Sequence, residues 1–212
     1  MGRPSLAETR RTQILRAFES CVLKYGLEGS SLELIAAEAG VRRGLIRHYF
    51  GNRPEFTQAL IDGVLERTIS NYRDVIERAG AEGGVEALVD YLAGSSFPEE
   101  RDDALMDALM AVGHRDPGLR EQLREKYQVF QRSIARELRR AFPDAEAQEI
   151  RTVSYALMCL AVGNAAMYDV GLPARRGGHA RRAGAEIVER FLARSEPPQR
   201  SREPLSSRSG GG

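Results

Sequence analysis

The 212-residue chain contains no tryptophan, two cysteines, three histidines and only two lysines. Each scarcity excludes something. Without tryptophan there can be no Trp-based cage for a quaternary amine, although a tyrosine/phenylalanine cage stays open. Cys21 and Cys159 lie far apart in apolar helical contexts. They read as reduced core thiols, not as a disulfide framework, and so point to a reducing compartment. His48, His114 and His179 are too widely spaced to pair as metal ligands. No GxGxxG, P-loop, GxSxG or HExxH motif occurs. No enzyme, metal or cofactor is therefore expected. The polar start MGRPSLAETRRTQ has no signal-peptide core, and no apolar run approaches the roughly 20 residues that span a bilayer. A soluble, cytoplasmic protein without a membrane partner is the expectation.

What is present is helical. The apolar fraction of 42% supports a real core, and apolar residues recur at spacings of three and four without strand alternation. Ser5 with Glu8 forms a capping box for a first helix that Gly26 ends. Ser30 with Glu33 repeats the pattern for a second, roughly 31 to 39. A third spans roughly 43 to 50. Asn52 caps a fourth, with Pro54 in its first turn, running to about Arg78. AGAEGG (79–84) reads as a break before a fifth helix (85–95), and a sixth covers about 102 to 113. Asp116 and Pro117 open a seventh that runs to about Ala141. Pro143 and Asp144 start an eighth ending at Gly171, and a ninth covers about 179 to 194. Glu99 and Glu100 read as solvated loop, and Asp102 and Asp103 as a helix start favoured by the dipole. Residues 195–212 are too polar to order.

Net charge is +1, so any nucleic-acid signal must be local. It is local. From Ala39 to Pro54 there are four arginines and a histidine and no acid. At about 100° per residue, Arg43, Gly44, Arg47 and His48 share one side of the third helix. Leu45, Ile46, Tyr49 and Phe50 share the other. Ala36, Gly40, Val41 and Ile46 fit a helix-turn-helix: a small residue where helices approach, a glycine with positive φ in the turn, and apolar plugs in the angle. The third helix is then the recognition helix, facing base edges in the major groove. Arginine, which outnumbers lysine 29 to 2, reads first as a coding bias. It is also the better residue for bidentate contacts to phosphate and guanine.

On the residues SLELIAAEAGVRRGLIRHYFGNRPEF, the segment from about Thr9 to Leu60 resembles the N-terminal domain of the tetracycline-repressor (TetR) family of bacterial regulators. The form His48-Tyr49-Phe50 is similar to that of the branch containing choline-responsive repressors. The resemblance implies an all-α fold. A helix-turn-helix DNA-binding domain would occupy residues 1–52, a helical effector-binding and dimerisation domain residues 53–194, and a disordered tail residues 195–212. Carried over by position, Arg42, Arg43, Gly44, Leu45, Arg47 and His48 would face the groove. Tyr49, divided between core and function, would reach a phosphate, and Arg53 would hold another. Ser30 or Ser31 would bind a phosphate at the second helix's N-terminus, with Lys24 a weaker candidate. Leu45 stands where the family usually has Thr or Ser, and Arg47 where Tyr is common. Leu45 could touch a thymine methyl, and Arg47 could read guanine O6 and N7.

The Ala- and Gly-rich run ALMCLAVGNAAMYDVG and the stripe Ala180, Ala183, Gly184, Ile187, Val188 and Phe191 suit close helix packing. An antiparallel pair within one chain would explain them, whereas the resemblance makes them a homodimer interface. It also implies a small-molecule pocket among helices four to eight. Candidate linings are Tyr91, Met106, Met110, His114 and Tyr127. Phe130, Tyr155, Met158, Cys159 and Tyr168 complete the set, although methionine at helical spacing is usually core. The expected function is a ligand-responsive regulator, most simply a repressor. It would bind a pseudopalindromic double-stranded DNA operator as a homodimer, and an unidentified small molecule would release it. The alternative is an effector-independent or architectural DNA-binding dimer.

Overall fold

In the computed structural model the described residues are 5–95, 100–172 and 178–193. Among them are eight α-helices and no strand: α1 (Leu6–Gly29), α2 (Leu32–Glu38), α3 (Arg43–Phe50), α4 (Arg53–Asp90), α5 (Glu100–Gly113), α6 (Pro117–Ala141), α7 (Ala147–Asp169) and α8 (His179–Val188). π-helical turns follow α4, at Tyr91–Ser95, and α8, at Glu189–Ala193. The tail at 195–212 lies outside the described residues.

The local signals set most helix starts. Ser5 Oγ accepts from the Glu8 amide at 3.2 Å, and Glu8 accepts from the Ser5 amide at 2.7 Å. Asn52 and Glu55 repeat this reciprocal cap at 3.0 and 2.8 Å. The Asp116 carboxylate accepts from the amides of Gly118 and Leu119 ahead of Pro117. Each box satisfies amides that the first helical turn leaves without partners.

Four boundaries differ from expectation. Gly26 has φ 74° but ψ 168°, and the chain turns helical again to Gly29. Ser31, not Ser30, caps α2, accepting from the Leu34 amide. α4 continues through residues 79–83 and departs from helical geometry only at Gly84 (φ 62°), so one glycine carries the kink where six residues suggested a break. α7 begins at Ala147, not at Pro143 or Asp144.

Two apolar cores result. The first gathers Phe18 of α1, Ile35 of α2, Ile46 and Phe50 of α3, and Phe56 of α4. Phe18 and Phe50 each lie 4.6 Å from Phe56, centroid to centroid, in tilted pairs. Leu105, Leu109, Leu119 and Leu123 of α5 and α6 join the same core. The expected division after residue 52 therefore marks a turn between helices, across which the packing is continuous. The second core joins Ile76, Leu88, Ile134, Leu138, Leu157 and Val188. Full burial of such side chains stabilises by about 1.5–3 kcal/mol each.

α7 also corrects an expectation. Residues Ala147–Met167 are long and apolar enough, with mean hydropathy 1.3, to cross a bilayer by length and composition. Yet Ile150, Val153, Leu157 and Ala161 are buried in the second core, as in a core helix.

Candidate nucleic-acid interface

α2 and α3 meet around a turn in which Gly40 has φ 63°, a conformation that costs glycine little. The Val41 amide donates to the Ala36 carbonyl at 3.0 Å. Ala36 and Ile46 are buried between the helices, as expected of a helix-turn-helix. Burial of Ile46 and Phe50 fixes the roll of α3, and so decides which residues face outward. Arg42, Arg43, Gly44, Arg47 and His48 are exposed, while Leu45 and Tyr49 are half-buried. A Cβ placed on Gly44 would meet nothing within 4 Å, so the surface there is open to close approach. The structure thus brings together every residue assigned to the groove.

The phosphate candidates divide. Ser31 is exposed at the start of α2. Ser30 is fully buried and its hydroxyl donates to the Gly26 carbonyl at 2.7 Å, which removes it from any phosphate. Arg53 is half-buried. Its guanidinium lies 4.6 Å over the Phe18 ring, and its Nη2 donates to the Leu27 carbonyl at 3.3 Å. Burial pushes its pKa below the ordinary arginine value. Its position therefore braces α4 against the end of α1, where a surface phosphate contact was expected. Lys24 is paired with Glu38 at 3.1 Å.

Sequence reasoning passed over the residues of α1 that hold the recognition helix. The Arg11 guanidinium stacks 4.3 Å from the Phe50 centroid and donates to the Tyr49 carbonyl near the C-terminus of α3. Gln13 donates to the Ala39 carbonyl at 2.9 Å. The signal for Arg11 was faint: an arginine pair early in α1 that could only be assigned once α1 was known to pass beside α3. On the outer face Arg43 pairs with Glu33 at 2.5 Å. Both are more than half exposed, so the pair is worth little and its arginine can change partners.

Residues 14–60 match the family model described as bacterial regulatory proteins, tetR family. Residues 14–60 therefore carry the DNA-binding domain of that family. The match covers the helix-turn-helix and the start of α4. The chain is 26% identical over 169 residues to the HTH-type transcriptional regulator UidR of Escherichia coli K12, covering 77% of this chain and 83% of UidR. Among solved structures it superimposes on Salmonella enterica GusR with a TM-score of 0.74 at 21% identity, over 91% of this chain and all of GusR. The transcriptional regulator FadR of Bacillus subtilis, solved in complex with stearoyl-CoA, gives 0.58 at 15% identity over 86% of this chain and 97% of that one. The two structural likenesses show the fold; the family match shows a DNA-binding transcriptional regulator.

The expected pocket residues do not assemble as one set. Met106, Tyr127 and Phe130 line a cleft of about 40 Å³ between α4, α5, α6 and α7. Tyr91 is buried in the second core and Met158 packs against it, while Met110 packs against the first. His114, Tyr155 and Cys159 are exposed, and the Tyr168 side chain lies outside the described residues. Cys159, expected in the core, shares a hydrogen bond with Tyr155 that raises the phenol's pKa. Cys21 is buried as expected, and burial pushes its thiol up. Among the described residues no group of three or more His, Cys, Asp or Glu is placed to hold a metal.

Asp102, expected at a helix start favoured by the dipole, lies in the first turn of α5 and is buried. Arg67 of α4 reaches it with Nε at 3.0 and 3.1 Å and Nη2 at 2.7 Å, and Glu19 of α1 with Nη2 at 3.1 Å. One guanidinium thus ties the DNA-binding helices to α5, one turn from Met106 on the cleft.

Proposed function

We propose that this regulator is a cytoplasmic, ligand-responsive repressor that binds a pseudopalindromic operator as a homodimer and leaves it when a small molecule enters the cleft. The observation that carries the reading is the outward face of α3. Its arginines and histidine stand exposed on a helix whose opposite face is locked into the core. Arg42, Arg43, Gly44, Leu45, Arg47 and His48 are the groove residues, and Ser31 and Tyr49 the phosphate contacts.

Dimerisation is supported by α7 and α8. Tyr155, Met167 and Phe191 are large apolar side chains left exposed, and a groove of about 580 Å³ runs between the two helices beside Cys159 and Gly163. A second copy covering it would set two recognition helices about 34 Å apart, on successive major grooves. Ligand response is supported by the cleft's position next to Arg67 and by FadR, which shares the fold and was solved with stearoyl-CoA. The ligand must favour one spacing of the recognition helices, because equal affinity for both would switch nothing. One observation favours the alternative of an effector-independent DNA-binding dimer: the cleft's small volume, against the roughly 300–1,000 Å³ usual for ligand sites.

Selection of genomic DNA fragments on the purified protein, with an Arg43→Ala/Arg47→Ala double variant alongside, tests the reading. Recovery of a palindromic site that the variant loses is expected. Salt-sensitive binding with no preferred sequence would favour the architectural alternative.

A further inference from the structure

The cleft between α4, α5, α6 and α7 has a chemistry of its own. Its walls are mainly apolar and aromatic. Tyr72 and Phe130 stack with centroids 4.7 Å apart, and Ile69, Met106 and Tyr127 extend that surface. From α7 come only Val162, Ala165 and Ala166, short side chains that leave a slot beside the rings. Flat rings pack well in such a setting, and methionine adapts its shape to what enters.

Polar groups at the cleft are few, and their arrangement is selective. Thr68 is buried, lines the cleft, and its Oγ1 has no hydrogen-bond partner. A buried hydroxyl without a partner is costly and therefore rewards any ligand atom that completes it. The two charged residues of the lining offset each other in sign. Lys126 is paired with Glu66 at 3.3 Å, and Asp107 is exposed. No unpaired charge inside the cleft is available to offset the desolvation of an ionic ligand, which is large in an apolar site. The stacking of Tyr72 on Phe130 also turns those two ring faces toward each other, away from a cation.

We propose that the cleft takes a small, uncharged, mainly apolar aromatic molecule that bonds Thr68 Oγ1 through one oxygen, a phenol-type ligand. This rests on the cleft being the effector site proposed above, and it narrows the chemistry of that effector. The cleft opens by displacement of Met106 and the α7 wall, and the ligand's oxygen then satisfies the hydroxyl that the closed form leaves bare.

The test uses the full chain and four probes: phenol, toluene, benzoate and tetramethylammonium, with affinities from calorimetry and stabilisation from thermal melts. Phenol is expected to bind about tenfold tighter than toluene, the difference of one buried hydrogen bond. Benzoate and tetramethylammonium are expected to bind more weakly than phenol. Thr68→Val should bring the phenol-to-toluene ratio close to one and leave toluene binding intact. Thr68→Ser should keep the preference, and Thr68→Ala provides a second hydroxyl-free variant if Thr68→Val folds poorly. Equal binding of phenol and toluene, an unchanged ratio without the hydroxyl, preference for either ion, or no binding of any probe would overturn the proposal. DNA release is measured separately. Thr68-dependent phenol binding that leaves DNA affinity unchanged would uphold the ligand class and refute the sensor function.

Discussion

Replacing Arg67 with methionine removes the one guanidinium that faces both Asp102 and Glu19. Asp102 and Glu19 are only 4% and 6% exposed, so the variant leaves at least the Asp102 carboxylate buried without its counter-charge. Hydrogen bonding to Asp102, opposed by burial and reinforced by Glu19, raises the Arg67 pKa above its ordinary value, so the guanidinium stays charged throughout. Breaking a buried pair from one side costs about 3–5 kcal/mol. The Arg67 side chain is itself 38% exposed, and water reaching it screens the interaction, which brings the expected loss to roughly 2–3 kcal/mol. For a chain of this size that lowers Tm by roughly 4–12 °C. Urea denaturation of Arg67→Met reads the loss directly. Adding Asp102→Leu should restore more than half of it, because an apolar pair leaves no stranded charge. A single-variant loss below about 1 kcal/mol, or a double variant whose losses simply add, would show that the cluster behaves as a solvated surface bridge.

Further outcomes follow from other sites. Arg47→Ala should weaken operator binding by about 1–3 kcal/mol while leaving nonspecific binding nearly unchanged, read by competition with unrelated DNA. Equal weakening on all sequences would make it a phosphate contact. With Arg42, Arg43 and Arg47 exposed on each protomer, about six cations per dimer would meet the DNA, and log K against log salt should fall with a slope of about −5 in a titration by fluorescence anisotropy. Gly80→Ala should destabilise by about 1–3 kcal/mol, since its Cβ would lie 2.3 Å from the carboxylate of buried Glu137; Glu137→Ala in the same chain should relieve it in thermal melts. Met167→Glu should turn the dimer into a monomer by light scattering, with operator affinity falling in parallel. The Glu8 carboxylate is held below its usual range by the Ser5 cap. That contribution is complete above the unfolded carboxylate's pKa and is lost as pH falls through the lower folded value. Glu8→Gln should remove this dependence from helix content followed by circular dichroism, whereas Ser5→Ala, which keeps the backbone amide that donates to Glu8, should only reduce it.

What could be seen in the sequence was governed by range. Ser5 with Glu8, Asn52 with Pro54, and Asp116 with Pro117 act within one helical turn, and each stands where its motif placed it. The basic face of α3 was equally visible, because Ile46 and Phe50 fix its roll through an eight-residue pattern. Ser30 and Ser31 differ by one position; the spacing to Glu33 favours Ser30, yet Ser31 is the cap, and the Ser30 hydroxyl donates instead to the Gly26 carbonyl. Arg53 looked like a free basic residue because Phe18 and Leu27, which hold it, lie in α1, with α2 and α3 between them in sequence. The Glu19–Arg67–Asp102 cluster joins three helices, and no local spacing encodes it.

The lining of the cleft was not legible in the sequence for a different reason. α7 is apolar nearly all round, so a period of 3.6 residues carries no information about which side faces where. Leu157 and Ala161 turn into the second core. Val162, Ala165 and Ala166 turn to the cleft. Cys159, Gly163 and Met167 turn to the outer groove. Tyr155, Met158 and Cys159 could not be sorted among these three environments from spacing alone, and the structure sends none of them to the cleft. A helix apolar on every side is stable in water only when every side is covered. The monomer covers the core side and part of the cleft side, while Tyr155, Val162 and Met167 stay exposed. The same uniformity that hid the pocket is what the proposed homodimer would answer, a second copy of the chain completing the burial of α7.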